Sequence, residues 1–213
     1  MIEGTIVDLV PFEDDFVIHM EKWMNEESWF RARVLERREP HPAHDVKKFI
    51  ERIEKNDHAL LIGVQAKNGD PIGGVMFDRE WPRVRKAEVL FFVGDERYEG
   101  TDEIVDALLM LCRYCFETRG MHRLDASALA LDDNRIEVLK RAGFVYEGTL
   151  RQHIRFDGGY VDLEMFGMLD EDWPGYAQKV EPLNLQASDL EPKPKSEKKD
   201  NGKHGKNGKN GGD

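Results

Sequence analysis

The run VLKRAGFVYEGTLRQHIRFDGGYVDLEMFGMLDEDW, residues 138–173, decides how this chain is read. A helical pattern stops at Gly143, and a strand pattern follows in FVYEGTL. Asp157-Gly158 marks a turn, and YVDLEMFGML supplies another strand that closes the domain.

Upstream, strands and helices alternate. GTIVDLVPF alternates as a strand, and DDFVIHMEKWM puts Phe16, His19, Met20 and Trp23 on one helical stripe. AHDVKKFIERI repeats the helical spacing with Val46, Phe49, Ile50 and Ile53. HALLIGVQA and IGGVMFDRE flank the turn signal NGD as a hairpin. KAEVLFFVG is a further strand, residues 102–119 a long amphipathic helix capped by Asp102, and HRLDASALA a strand before the helix DDNRIEVLKRAG. Between the first two helices lies SWFRARVLERREPHP, read as a long basic and aromatic loop of the kind that borders binding sites.

The chain has 213 residues, 40% of them hydrophobic, enough for one sizeable core. No apolar run is long enough to span a bilayer, and the N-terminus shows no secretory pattern, so a cytoplasmic protein without membrane contact is expected. Net charge is -11, although residues 192–213 carry seven lysines against three acids. An acidic body argues against a nucleic-acid-binding domain and is compatible with a cationic amine. The Lys/Gly/Asn-rich end has no apolar periodicity and is expected to be disordered; its contact with RNA, the ribosome or another polyanion is the functional reading of that tail. Cys112 and Cys115 fall on the apolar stripe of a helix and are read as core. His41 and His44 have two-ligand spacing without a third ligand, so no metal site is expected.

The helix ending Ala142-Gly143-Phe144, the strand with Glu147-Gly148, Arg151, the Asp157-Gly158 turn, Tyr160-Val161-Asp162, Gly167-Met168-Leu169 and Trp173 resemble the GNAT superfamily of N-acetyltransferases. The similarity is to the branch that includes ribosomal-protein N-terminal acetyltransferases, and it covers about residues 1–173. The resemblance implies an α/β fold with a mixed, mostly antiparallel central sheet flanked by helices and splayed to admit acetyl-CoA. It implies a domain over residues 1–175, followed by a tail over residues 176–213, in a monomer or homodimer. The implied reaction moves an acetyl group from acetyl-CoA to a primary amine, either a small amine or a protein N-terminus. The alternative is a GNAT-fold binding module with weakened cofactor binding.

The same resemblance implies the site residues. The family's cofactor motif aligns with RYEGTD, where Arg97 and Gly100 match and Asp102 replaces a small residue. Free amides at a helix N-terminus face the pyrophosphate in such a loop. Asp102 opposes the phosphate if its carboxylate points inward, or costs little if it points outward. Phe92, Val93, Arg97, Gly100 and Thr101 are the implied cofactor residues, together with Asn134, or Asp132 in the ungapped frame. Glu88 is the implied base for the amine proton. Trp29, Phe30 and Arg31 lie in the loop bordering the acceptor. The family's tyrosine acid is replaced by Leu139, leaving Tyr98 and Tyr146 as candidates without distinguishing spacing.

Overall fold

The computed structural model describes residues 1–13, 15–32 and 41–191. Eight strands form one sheet: β1 (Ile2–Glu3), β2 (Val7–Pro11), β3 (Leu60–Ala66), β4 (Pro71–Trp81), β5 (Lys86–Val93), β6 (Arg123–Leu129), β7 (Val145–Phe156) and β8 (Gly159–Leu169). Their order is β1-β2-β3-β4-β5-β6-β8-β7. Among these pairs β5–β6 alone is parallel, so the sheet is mixed and mostly antiparallel, as expected.

Helices cover both faces. On one lie α1 (Asp15–Trp23), α2 (Glu27–Ala32) and α3 (Ala43–Glu54). Their apolar stripes supply Phe16, Met20, Trp23, Trp29, Phe49 and Ile53 to a core shared with Met76 and Phe92 of the sheet. On the other lie α4 (Asp102–Arg113) and α5 (Asp133–Ala142), which bury Ile104, Leu108, Leu111, Ile136 and Leu139 against Val75, Val89 and Phe91. Side chains alternate along β5, so Phe91 and Val93 face α4 and α5, whereas Glu88, Leu90 and Phe92 face α1–α3.

The parallel pair positions the site. β5 and β6 match only at Lys86↔Arg123, Ala87↔Leu124 and Glu88↔Asp125. Beyond Glu88 the two strands separate, and the chain leaves β5 at Val93 for the turn that starts α4. The NGD hairpin closes as read, with Gly69 at φ 93° and the Asn68 side chain accepting from the Asp70 N–H at 2.9 Å. Gly143 ends α5 at φ 94°.

Three expectations are corrected. Residues 28–32 are helical rather than looped, because Ser28, Trp29 and Ala32 are buried against the sheet. Regular α-helix in α4 stops at Arg113 and continues as a wider turn over Tyr114–Thr118; its N-cap is Thr101, not Asp102. The chain beyond residue 175 is structured as far as Glu191: α6 (Tyr176–Val180) packs on α4, and Leu185 is buried in the main core. That short amphipathic stretch follows Pro-Gly and precedes the lysines, so composition averaged over the whole tail hides it. The lysine-rich run from 192 lies outside the described residues. Cys112 and Cys115 are buried and free, and burial pushes the Cys115 thiol up to about 12.

Candidate active site

Where β5 and β6 part, Ser28, Arg31, Phe91, Val93, Glu99, Gly100, Asp132, Asn134, Arg135 and Val138 line a narrow cleft of about 20 Å³. It is contiguous, through Ser28, Arg31, Val93 and Glu99, with an outer chamber of about 310 Å³. Lys22, Glu26, Glu27 and residues 94–97 complete that chamber.

The start of α4 forms one wall. Gly100 has φ 73°, a left-handed conformation, and a Cβ there would meet Asn134 Oδ1 at 3.1 Å. Thr101 caps the helix without a side-chain bond to it, because its hydroxyl donates to the Tyr98 carbonyl at 2.9 Å. The N–H groups of Gly100, Asp102 and Glu103 donate to no group among the described residues. Three free amides at a helix N-terminus are the ordinary means of holding a phosphate.

The carboxylates of Asp102, Glu103 and Glu99 beside this cradle each have a partner. Asp102 Oδ1 lies 2.5 Å from Arg141 Nη2, and Oδ2 accepts from the Gln186 N–H at 2.7 Å. Partial burial pushes the Asp102 carboxyl up, but the Gln186 N–H and the Arg141 guanidinium outweigh it and leave it below its ordinary value. Glu103 is buried and accepts from the Ser188 N–H and hydroxyl at 2.5 and 3.0 Å. Glu99 is held by Arg31 Nη2 at 3.2 and 3.3 Å. Of the two orientations left open for Asp102, the structure adopts the outward one.

A charged chain crosses the cleft from α2 to α5. Arg31 joins Glu99 to Asp132, and Asp132 caps α5 by accepting from the Arg135 N–H at 3.2 Å. Arg135 is 5% exposed, lies over the Phe91 ring at 4.1 Å and donates to the Phe91 carbonyl at 2.7 Å. Burial pulls its guanidinium below its ordinary value, with Asp132 opposing. The Nε groups of Arg31 and Arg135 are buried without a hydrogen-bond partner, 3.9 and 3.6 Å from Asp132 Oδ2. A buried donor left unsatisfied is costly. Two of them lining one cleft, from α2 and from α5, fit a site that receives an acceptor-rich ligand.

The sequence-derived residues divide. Val93, Gly100 and Asn134 line the cleft, and Arg31 lines both cleft and chamber. Asp132, the alternative to Asn134, is also there but engaged as a cap. Phe92 does not line it: strand alternation turns its ring into the second core, 5.0 Å from Trp29. Trp29 is 1% exposed in that core and Phe30 packs beside it, so neither lines the chamber. Arg97 lines the chamber, with its guanidinium on Asp95 at 2.7 to 3.2 Å and on the Glu191 carbonyl at 3.2 Å. Glu88 is half-buried at the last rung of the β5–β6 pairing, beside the β4–β5 irregularity at Phe77/Arg79. Tyr98 is buried in the main core, and the Tyr146 hydroxyl meets Thr149 Oγ1 at 2.6 Å; neither lines the cleft.

Sequence reasoning missed Ser28 and Arg135. Arg135 had a signal: with Val138, Leu139 and Ala142 it occupies the buried stripe of α5, where a charge calls for a partner. Ser28, whose hydroxyl accepts from the Val93 N–H at 3.1 Å, had none.

A profile described as the acetyltransferase (GNAT) domain matches residues 12–165. The chain belongs to the GNAT acetyltransferase family. This GNAT chain is 25% identical over 130 residues to the probable N-acetyltransferase YjcK of Bacillus subtilis, covering 60% of this chain and 70% of YjcK. It is 31% identical over 91 residues to YdaF of the same organism, whose name places it with ribosomal N-acetyltransferases; the match covers 43% of this chain and 49% of YdaF. A spermidine N-acetyltransferase from Vibrio cholerae, solved with CoA and spermine, has the same fold, with TM-score 0.71 at 15% identity over 80% of this chain and 98% of that one. In this GNAT frame the fork between β5 and β6 is the splayed sheet that the sequence implied. Among the described residues no group of three or more His, Cys, Asp or Glu could hold a metal, and no helix is long and apolar enough to cross a membrane.

Proposed function

We propose that this GNAT protein transfers an acetyl group from acetyl-CoA to a primary amine, with the β5–β6 fork as its catalytic cleft. The observation that carries this reading is the trio of free amides at Gly100, Asp102 and Glu103, beside a left-handed Gly100 and with the carboxylates of Glu99, Asp102 and Glu103 each held by another partner. Those amides would hold the pyrophosphate, and the unsatisfied Nε groups of Arg31 and Arg135, with Asn134, would meet polar atoms of the cofactor's arm. Acetyl-CoA supplies the activated acyl carbonyl. The chain's own part is to align the amine, exclude water and take the amine's proton. Glu88 stands at the fork, on the face covered by α1–α3, and is the base in this reading. The acids Glu26, Glu27 and Glu96 on the outer chamber support a cationic acceptor.

One observation favours the alternative, a binding module with weak cofactor affinity. The Val93 N–H and the Phe91 carbonyl are already bonded to Ser28 and Arg135, and the cleft between them is only about 20 Å³. Entry of a pantetheine arm requires both contacts to open. Titration calorimetry with acetyl-CoA separates the two readings: saturable micromolar binding supports the enzyme, and absence of heat at millimolar cofactor supports the module. Initial rates with spermidine, spermine and peptides bearing a free N-terminus then distinguish a small amine from a protein N-terminus.

A further inference from the structure

The family profile ends at residue 165, yet the described chain runs on to Glu191 and returns to the start of α4. α6 anchors the return: the Tyr176 hydroxyl bonds Asp106, and Arg113 lies over the Tyr176 ring at 5.7 Å. Leu185 is then buried in the main core. From there the chain crosses the cofactor loop and meets it at three points. The Gln186 N–H takes Asp102, the Ser188 N–H and hydroxyl take Glu103, and the Glu191 carbonyl takes Arg97. Asn68 adds a bond from Nδ2 to the Leu190 carbonyl at 3.3 Å.

These contacts explain why acids are tolerated in the first turn of α4. Glu103 is 2% exposed, and both hydrogen bonds to its carboxylate come from Ser188. Asp102 shares its carboxylate between Gln186 and Arg141. Each carboxylate belongs to the same turn as the three free amides. Released from its partners, either would act as a capping acceptor for those amides and place negative charge where a phosphate must sit. We infer that residues 186–191 form a positioning strap: it holds the Asp102 and Glu103 carboxylates away from the pyrophosphate site, and full affinity for acetyl-CoA depends on it. This inference rests on the acetyl-CoA reading above. Asp102, Glu103, Gln186 and Ser188 act through the loop's amides and are positioning residues.

The test uses the full chain. Gln186→Pro removes the N–H held by Asp102. It is expected to raise KM for acetyl-CoA at least about fivefold at low salt, less at high salt, with kcat within about twofold. The rate with acetyl-pantetheine, which lacks the pyrophosphate, should not move. Adding Asp102→Asn, which removes the charge, should restore most of the affinity lost in Gln186→Pro. Ser188→Ala, with Glu103→Gln as its rescue, gives a second and milder pair should the proline variant fail to fold. An unchanged KM in both strap variants overturns the strap, as does a parallel loss with acetyl-pantetheine or a failure of charge removal to rescue. Failure of the unmodified chain to bind acetyl-CoA overturns the acetyltransferase reading instead, and is seen before any variant is made.

Discussion

Asp102 at the start of α4 and Arg141 near the end of α5 face each other, Oδ1 to Nη2 at 2.5 Å, and neither lines the cleft. Together with the Gln186 N–H, the pair fixes the direction of the one residue that departs most from the family's cofactor motif. Asp102→Ala should therefore leave acetyl-CoA affinity no tighter than before. It should lower the melting temperature by a few degrees, from the loss of about 1–2 kcal/mol of charge-assisted hydrogen bonding. Calorimetry and thermal unfolding of the apo protein measure the two effects separately; a clear gain in affinity would show an inward carboxylate.

Gly100→Ala should weaken acetyl-CoA binding about tenfold and destabilise the fold modestly. A left-handed backbone costs an L-residue about 1–2 kcal/mol, and the new methyl would press on Asn134 Oδ1 at 3.1 Å. The readout is KM for acetyl-CoA against kcat, and unchanged KM would mean that the loop carries no phosphate.

Glu88→Gln should lower kcat about a hundredfold at neutral pH while the dissociation constant for acetyl-CoA stays near that of the parent, because a base acts on the acceptor's proton and not on the cofactor. Steady-state rates and calorimetry on the same preparation decide it. Equal kcat removes Glu88 from the mechanism.

Stability should fall at both ends of the pH scale for identifiable reasons. Burial holds the Cys115 thiol up at about 12, and burial with Asp106 holds the Tyr176 phenol at about 12, so the unfolded chain releases these protons first as pH rises. Stability present below about pH 9 is lost as pH climbs through those values. Asp102 and Glu147 lie below their ordinary carboxylate values, Glu147 chiefly through its hydrogen bond from Arg123. Their contribution is present above the ordinary carboxylate range and is lost as pH falls through the lowered values, below about pH 4. Melting temperatures from pH 3 to about 11 should trace this dome, and Cys115→Ala should flatten its alkaline side; an identical slope would assign that limb to other groups.

The order of the main strands and helices apart from α2, the NGD turn and the stop of α5 at Gly143 were legible in the sequence, because periodicity, turn chemistry and capping are local and repeat within a few residues, and the family was legible through the resemblance of residues 138–173. The buried Arg135 was legible in principle, through its place on the apolar stripe of α5. What decided the site was not local. Arg31 reaches Glu99 across 68 positions, Arg141 reaches Asp102 across 39, and Gln186 reaches Asp102 across 84. Trp29 and Phe92, expected at the site, went to a core shared by α1–α3 and the sheet because large rings gain most where helices close on a strand face. A carboxylate's chemistry depends on which donor it meets, and in this protein the donors for Asp102 and Glu103 arrive from a segment whose composition resembles a tail. The family resemblance placed an expected phosphate loop and an acid together at the start of α4; the tertiary structure brings Gln186, Ser188 and Arg141 to the acids of that helix and leaves its first amides free.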